Sequence, residues 1–358
     1  MADFPSHPDA IEAGWLTDRL RASGVIGADA AVTALSWVPI GTGQVGDSAR
    51  ITLSYDRPGA GPATIAGKFP AADETSRQTA GAFGLYSKEV GFYREIAPQL
   101  DVRVPQPLVA EVADDGVEFI LLFEDLGPAR GGNQLASCSA ADARAAMRQA
   151  AGIHAPSWNH PALIATPWLL PNPAQIDQVK ALYPNAQAIF RERYADMLEP
   201  ELMQVCEELN DCGELWFGRE AETKCILHGD FRLDNLLFDI KGGAEDIAVL
   251  DWQTVAIGNA MTDIGYFLGT GIGDALRREH EAELLDLYCA EMTARGVALS
   301  RAAIWDDYVL GALHGVSTAV FSAAYVERTP RGDENFLSMA RGGCSLALQH
   351  GSLAKLKG

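Results

Sequence analysis

The sequence predicts an α+β fold of two lobes. An N-terminal lobe over 1–126 would hold an antiparallel sheet and one helix, and a mainly helical lobe would span 127–358. Three observations predict this. Short alternating or β-branched apolar runs fill the first third of the chain. Ala-rich amphipathic stretches with helical spacing fill the remainder, and one β-like island from Cys225 to Gln253 interrupts them. A chain of 358 residues also exceeds one small core, which favours two lobes with a cleft between them.

The elements follow in order. Residues 11–22 read as a short amphipathic helix with Ile11, Trp15, Leu16 and Leu20 on one side. Residues 32–41 are apolar and strand-like, and a loop containing Gly41, Gly43 and Gly46 follows. Ile51, Leu53 and Tyr55 alternate as in a half-buried strand; 56–62 is a turn and 63–69 a third strand. A helix is expected over 77–99, ending near Pro98. Residues 104–127 read as a hairpin around Asp114, Asp115 and Gly116. Beyond Gly127, helices are expected at 140–154, 174–197, 199–217, 277–295 and 301–326.

The formal net charge of −20 makes nucleic acid and anionic membrane poor partners. The six cysteines form no C-x-x-C pair and no zinc-finger spacing with histidine, so reduced thiols are expected. The N-terminus has no apolar stretch long enough for a signal peptide, and no later run reaches the length of a membrane span. A soluble, cytoplasmic protein is the expectation. None of these patterns encodes an oligomeric state.

The strongest chemical signal is His228-Gly-Asp230 with Asn235 five residues after the Asp, bracketed by apolar pieces. A second apolar run, Ile247 to Leu250, ends in Asp251 and carries a carboxylate to the tip of a buried strand. Phosphoryl transfer needs a carboxylate to orient the attacking hydroxyl and accept its proton. It also needs hard oxygen ligands for Mg²⁺. Asp230 suits the first task, and Asn235 and Asp251 the second. Taken singly, Asp230 and Asn235 also suit turns, and Asp251 a strand end. The ordered set is what points to chemistry.

This set resembles the catalytic and metal loops of the aminoglycoside phosphotransferase and choline kinase-like superfamily, distant relatives of protein kinases. The phrase from Asp251-Trp-Gln through Asp263-Ile-Gly-Tyr-Phe-Leu is most similar to its ecdysteroid-kinase-like branch, and HGDFRLDNLLF also resembles kinase domains fused to acyl-CoA dehydrogenases. The resemblance implies a two-lobed protein-kinase-like fold, with ATP and Mg²⁺ as cofactors and a small-molecule alcohol as acceptor. It implies that Asp263 braces the catalytic loop. For Arg232 two roles stay open, contact with the γ-phosphate or bracing of the loop. His228 and His154 are expected to be structural.

The first third has to supply the nucleotide grip. Gly41-x-Gly43-x-x-Gly46 matches both a dinucleotide fingerprint and a kinase glycine loop; the alternating strand after it favours the latter. Period two puts Ala66 and Lys68 on one face of the third strand, which resembles the strand that places a lysine on nucleotide phosphates. Relatives carry E-x-x-F-Y in the next helix, where the Glu pairs with that lysine. Here it is Glu89, with Phe92 and Ile96 on its face; Glu95 reads as solvated. The run ending in Glu124-Asp125-Leu126 resembles the hinge whose backbone binds adenine. Trp158, Trp168 and Trp216 are candidates for a substrate pocket. Other readings are a nucleotide-binding pseudokinase without catalysis, an oxidoreductase using the glycine loop, or a kinase of hydroxyacyl-CoA or of a cationic antibiotic or choline-type substrate. A neutral or lipophilic alcohol is favoured among acceptors.

Overall fold

The computed structural model describes residues 3–41 and 45–358. Helix α1 (Ala13–Ala22) precedes strands β1 (Val32–Pro39), β2 (Gly46–Tyr55) and β3 (Thr64–Pro70). Helices α2 (Glu74–Ala82) and α3 (Leu85–Gly91) come next, then the hairpin β4 (Pro107–Val112) and β5 (Phe119–Glu124). The five strands form one antiparallel sheet in the order β1-β2-β3-β5-β4.

Alternation along β5 shows how the sheet is covered. Ile120 and Leu122 join Ile51, Leu53 and Ile65 on the face capped by Leu16 and Leu20 of α1. Phe119, Leu121 and Phe123 face the other way, against Tyr86, Val90 and Phe92. The single helix expected over 77–99 is divided. Gly84 adopts φ 68°, which ends α2 and starts α3. Residues 92–96 then widen into a π turn, and Pro98 sits in a closing 3-10 turn.

The rest of the chain is mainly helical. It contains β6 (Arg130–Gly131), α4 (Ala140–Ser157), α5 (Pro173–Tyr194), α6 (Pro200–Asp211), α7 (Gly213–Phe217) and β7 (Cys225–Leu227). After them come β8 (Leu236–Asp239), the distorted single turn α8 (Ile240–Gly243), β9 (Glu245–Val249), β10 (Ala256–Gly258) and α9 (Met261–Tyr266). Four helices finish it: α10 (Asp274–Ala294), α11 (Arg301–Tyr325), α12 (Pro330–His350) and α13 (Ser352–Lys357). The strands of the β-like island pair with β6 and β10 from outside it to make two small sheets, β10-β7 and β6-β8-β9.

Helix α4 starts on a reciprocal cap between Ser139 and Asp142. Helix α9 packs on α11 glycine against glycine; a Cβ on Gly265 would collide with the Gly311 backbone. That contact fixes the depth of Asp263 and Tyr266. All six cysteines are free. Among the described residues no helix is long and apolar enough to cross a membrane.

Candidate active site

Strand β3 pairs on both sides, so Lys68 is held in a fixed register, opposite Ser48 of β2 and Leu121 of β5. Its Nζ lies 2.8 Å from Glu89 Oε2 and 2.9 Å from Asp251 Oδ1. Glu89 comes from the inward face of α3 and is 1% exposed, whereas the Asp251 side chain is 42% exposed. One ammonium thus joins the sheet, α3 and the residue just beyond β9. Burial opposes charge on Lys68, but the carboxylates of Asp251 and Glu89 override it and hold its pKa above the ordinary value. Burial raises Glu89, with Lys68 offsetting part of the rise. Burial also pushes Asp251 up, and there Lys68 wins and the net shift is downward.

Asp251 adopts φ 61°, a left-handed conformation costly for a non-glycine residue. Its neighbour pins it. Trp252 is fully buried and stacks on Phe92 with ring centroids 3.7 Å apart and planes 8° apart. Such a stack contributes about 0.5–1.5 kcal/mol beyond area burial, comparable with the backbone strain it restrains.

Asp230 lies between β7 and β8. Its Oδ1 accepts from the Tyr266 hydroxyl at 2.7 Å. Its Oδ2 accepts from Arg232 Nε at 3.0 Å and Asn235 Nδ2 at 2.9 Å. Asn235 Nδ2 also reaches the Asp230 carbonyl at 2.9 Å. With its donor side so used, Asn235 keeps Oδ1 as an acceptor with no hydrogen-bond partner among the described residues. The Asn235 carbonyl accepts from the Leu250 N–H at 2.9 Å, which sets it beside the Asp251 strand end. Asn235 Oδ1 and the open Asp251 carboxylate are two hard oxygen donors. That set fits Mg²⁺, which fills the rest of its shell with water and phosphate oxygens.

His228 donates from Nε2 to the Leu250 carbonyl at 2.8 Å and accepts on Nδ1 from the Asp230 N–H at 3.2 Å. Both nitrogens are spent in a neutral tautomer, so His228 ties the two loops together and has no lone pair for a substrate proton. Asp263 is fully buried. It accepts from the His228 N–H at 2.7 Å and the Gly229 N–H at 2.9 Å, and lies 3.2 Å from His154 Nε2. Burial opposes its charge, and the hydrogen bonds from His154 and the Gly229 N–H override that and keep its pKa low. Gly229 is required between these residues: it adopts φ 83°, and a Cβ would collide with the Thr254 carbonyl.

The structure therefore brings together Lys68, Glu89 and Asp251 in one cluster and Asp230, Arg232 and Asn235 in another. Arg232 braces the loop, bridging Asp230 and, at 3.2 Å, Asp234. Burial opposes its charge and the two carboxylates hold its pKa up. Gly46 opens β2 close to Lys68; a Cβ there would lie 3.6 Å from Lys68 Cε. Gly43 lies outside the described residues. The Glu124 carboxylate is committed to Arg103 and Lys241, at 2.7 and 2.8 Å, and Leu126 is buried. The Glu124 N–H donates to the Gln106 carbonyl and the Leu126 carbonyl accepts from the Lys241 N–H, so these two groups are already paired within the protein. Trp216 is buried among the core residues and Trp168 lies against Gly91 at the end of α3.

Sequence reasoning missed Tyr266 and Gln253. Gln253 is 6% exposed, and its Nε2 has no partner among the described residues. A Cβ on Gly46 would lie 3.8 Å from that nitrogen, so the amide sits under the start of β2. Its place two residues after Asp251 was the available signal.

Fold and site define a two-lobed protein of the kinase-like class. The chain belongs to the phosphotransferase enzyme family (APH), whose model matches residues 75–299, well over half of its length. It is similar in structure to choline kinase from Cryptosporidium parvum Iowa II, with 12% identity, 93% of this chain and 94% of that one covered, and a TM-score of 0.57. It is also similar to the GDP and kanamycin complex of APH(2″)-IIIa, with 14% identity, 93% and 99% covered, and a TM-score of 0.51. At such identities these likenesses show the fold. A stretch of 68 residues is 49% identical to mouse acyl-CoA dehydrogenase family member 10; it covers 19% of this chain and 6% of that relative's length.

Proposed function

We propose that this chain is an ATP- and Mg²⁺-dependent kinase that phosphorylates a hydroxyl of a small neutral or lipophilic alcohol. One observation carries the reading: the Lys68–Glu89–Asp251 cluster is joined to the Asp230–Asn235 loop by His228 and by the Asn235–Leu250 bond. A lysine fixed by two carboxylates suits nucleotide phosphates. Asp230 would orient the acceptor hydroxyl and take its proton as the new O–P bond forms and the β–γ bridge bond breaks, releasing ADP. Asn235 and Asp251 would hold Mg²⁺, which when bound neutralises phosphate charge. Gly43 and Gly46 would cover the phosphates, and backbone groups near Glu124 to Leu126 would meet the adenine. The related fold that holds GDP supports a purine nucleotide in this cleft.

The surroundings of Asp230 support this acceptor class. Its contacts are a tyrosine, an arginine and an asparagine. Asp234, the other carboxylate of the loop, is spent on Arg232, Arg331 and Asn335. A cationic acceptor would need carboxylates left free. The local match to an acyl-CoA dehydrogenase family member supports a lipophilic alcohol. A coupled assay for ADP tests the proposal over sugars, sterols, hydroxyacyl-CoA, choline and aminoglycosides. Turnover is expected on a neutral or lipophilic alcohol. Micromolar KM for choline or kanamycin alone would contradict the acceptor class, and no turnover on any alcohol would favour a pseudokinase.

A further inference from the structure

A second cavity, of about 510 Å³, lies between α2–α3 and the segment 167–175, and no residue of the site above lines it. Its apolar wall is Phe83, Pro167, Trp168 and Leu170; Phe83 and Leu170 are 41% and 50% exposed. The Trp168 ring lies so close to Gly91 that a Cβ there would meet ring atoms at 3.0 Å. The wall is therefore fixed against α3.

The polar side of the cavity carries two cations, Lys88 and Arg94. Neither has a carboxylate within ion-pair distance among the described residues, in a chain with net charge −20 where most lysines and arginines are paired. Lys88 is partly buried, and burial pulls its ammonium below the ordinary value with no carboxylate to offset it. Glu95 is the one carboxylate among the residues lining the cavity, and it accepts from Trp168 Nε1 at 2.9 Å. One positive charge is left over beside an exposed apolar wall.

We propose that this cavity binds a small amphiphilic anion: a carboxylate, sulfonate or phosphate joined to an aromatic or alkyl body. The head group sits between Lys88 and Arg94, where it supplies the missing counter-charge. The body covers Phe83, Trp168 and Leu170. A free inorganic anion meets only half of the site. The inference does not depend on the reaction proposed above.

Titration of the intact chain with 8-anilinonaphthalene-1-sulfonate, followed by its fluorescence, tests this. Saturable binding to one site is expected. The charge-removing pair Lys88→Met and Arg94→Gln is expected to weaken it by about tenfold or more, as loss of charged hydrogen bonds does. Arg94→Gln alone, at an exposed position, should weaken it in part and guards against a folding defect. The uncharged N-phenyl-1-naphthylamine should bind wild type and variants alike. Millimolar MgATP should leave the sulfonate affinity unchanged. Equal sulfonate affinity in wild type and the double variant would overturn the proposal. So would displacement of the probe by millimolar MgATP, which would place it in the nucleotide cleft.

Discussion

The Tyr266 hydroxyl donates a 2.7 Å hydrogen bond to Asp230 Oδ1 across 36 residues of sequence. Tyr266 is fully buried, and its ring meets His314 edge-on while His314 Nε2 lies 3.0 Å from the Gly229 carbonyl. The proposed base is thus aimed from α9 and α11, not by its own loop alone. Tyr266→Phe keeps the ring and removes this bond. Steady-state kinetics should show kcat lowered about ten- to a hundredfold, as for a lost hydrogen bond to a charged group, with KM for ATP nearly unchanged. Equal loss through KM for ATP would mean that Tyr266 acts on nucleotide binding instead.

Asp263→Asn should destabilise the fold. The carboxylate accepts two backbone N–H groups and faces His154 in a fully buried position, and an amide cannot accept on both sides. Urea denaturation should show a loss of about 2–5 kcal/mol, the range for breaking a buried charged network. A change below about 0.5 kcal/mol, typical of surface sites, would show that the brace is dispensable.

Much of this site was legible because it obeys simple patterns. Asp230, Asn235 and Asp251 stand at fixed places beside apolar runs, and strand alternation put Lys68 on the face of Ala66. Helical spacing chose Glu89 over Glu95, and the structure has Glu89 on Lys68 and Glu95 on Trp168. Tyr266 was hidden because a tyrosine within Ile-Gly-Tyr-Phe-Leu looks like core, and only the packing of α9 on α11 turns its hydroxyl to Asp230. The break at Gly84 was hidden because neighbouring residues keep helical composition. Helix α12 went unread despite its Thr329 cap and Pro330 start, since Gly342 and Gly343 lie mid-helix and lower its propensity.

Lys68→Met should abolish the stabilisation by nucleotide. It removes the ammonium that would meet the phosphates and leaves Glu89, 1% exposed, without its counter-ion. A ligand that binds only the folded state raises its melting temperature. Millimolar MgATP should shift wild type and leave Lys68→Met unmoved. An equal shift in both would take Lys68 out of the nucleotide site.

Glu245 predicts a pH dependence. Hydrogen bonds from Arg103 and Lys241 hold its pKa down to about 2, from an ordinary 4.5. A depressed carboxylate contributes stability that is present above its unfolded value and lost as pH falls through the folded one. Wild type should therefore exceed Glu245→Gln in stability at pH 6. The gap should close between about pH 4.5 and 2, and solvent screening keeps it modest. Denaturant midpoints measured across that range test it; a gap that widened on acidification would contradict the assignment.

In the proposed reaction Asp230 takes the acceptor proton while Lys68, Asn235 and Asp251 hold the metal–nucleotide complex. The most direct measurement compares Asp230→Asn with wild type in two assays, thermal shift with MgATP and transfer of γ-labelled phosphate to the acceptor found by the screen. The amide keeps the shape of the carboxylate and can still accept from Tyr266, but it cannot take the proton. An unchanged MgATP shift together with loss of transfer by about a hundredfold or more is expected. Wild-type transfer by Asp230→Asn would contradict it.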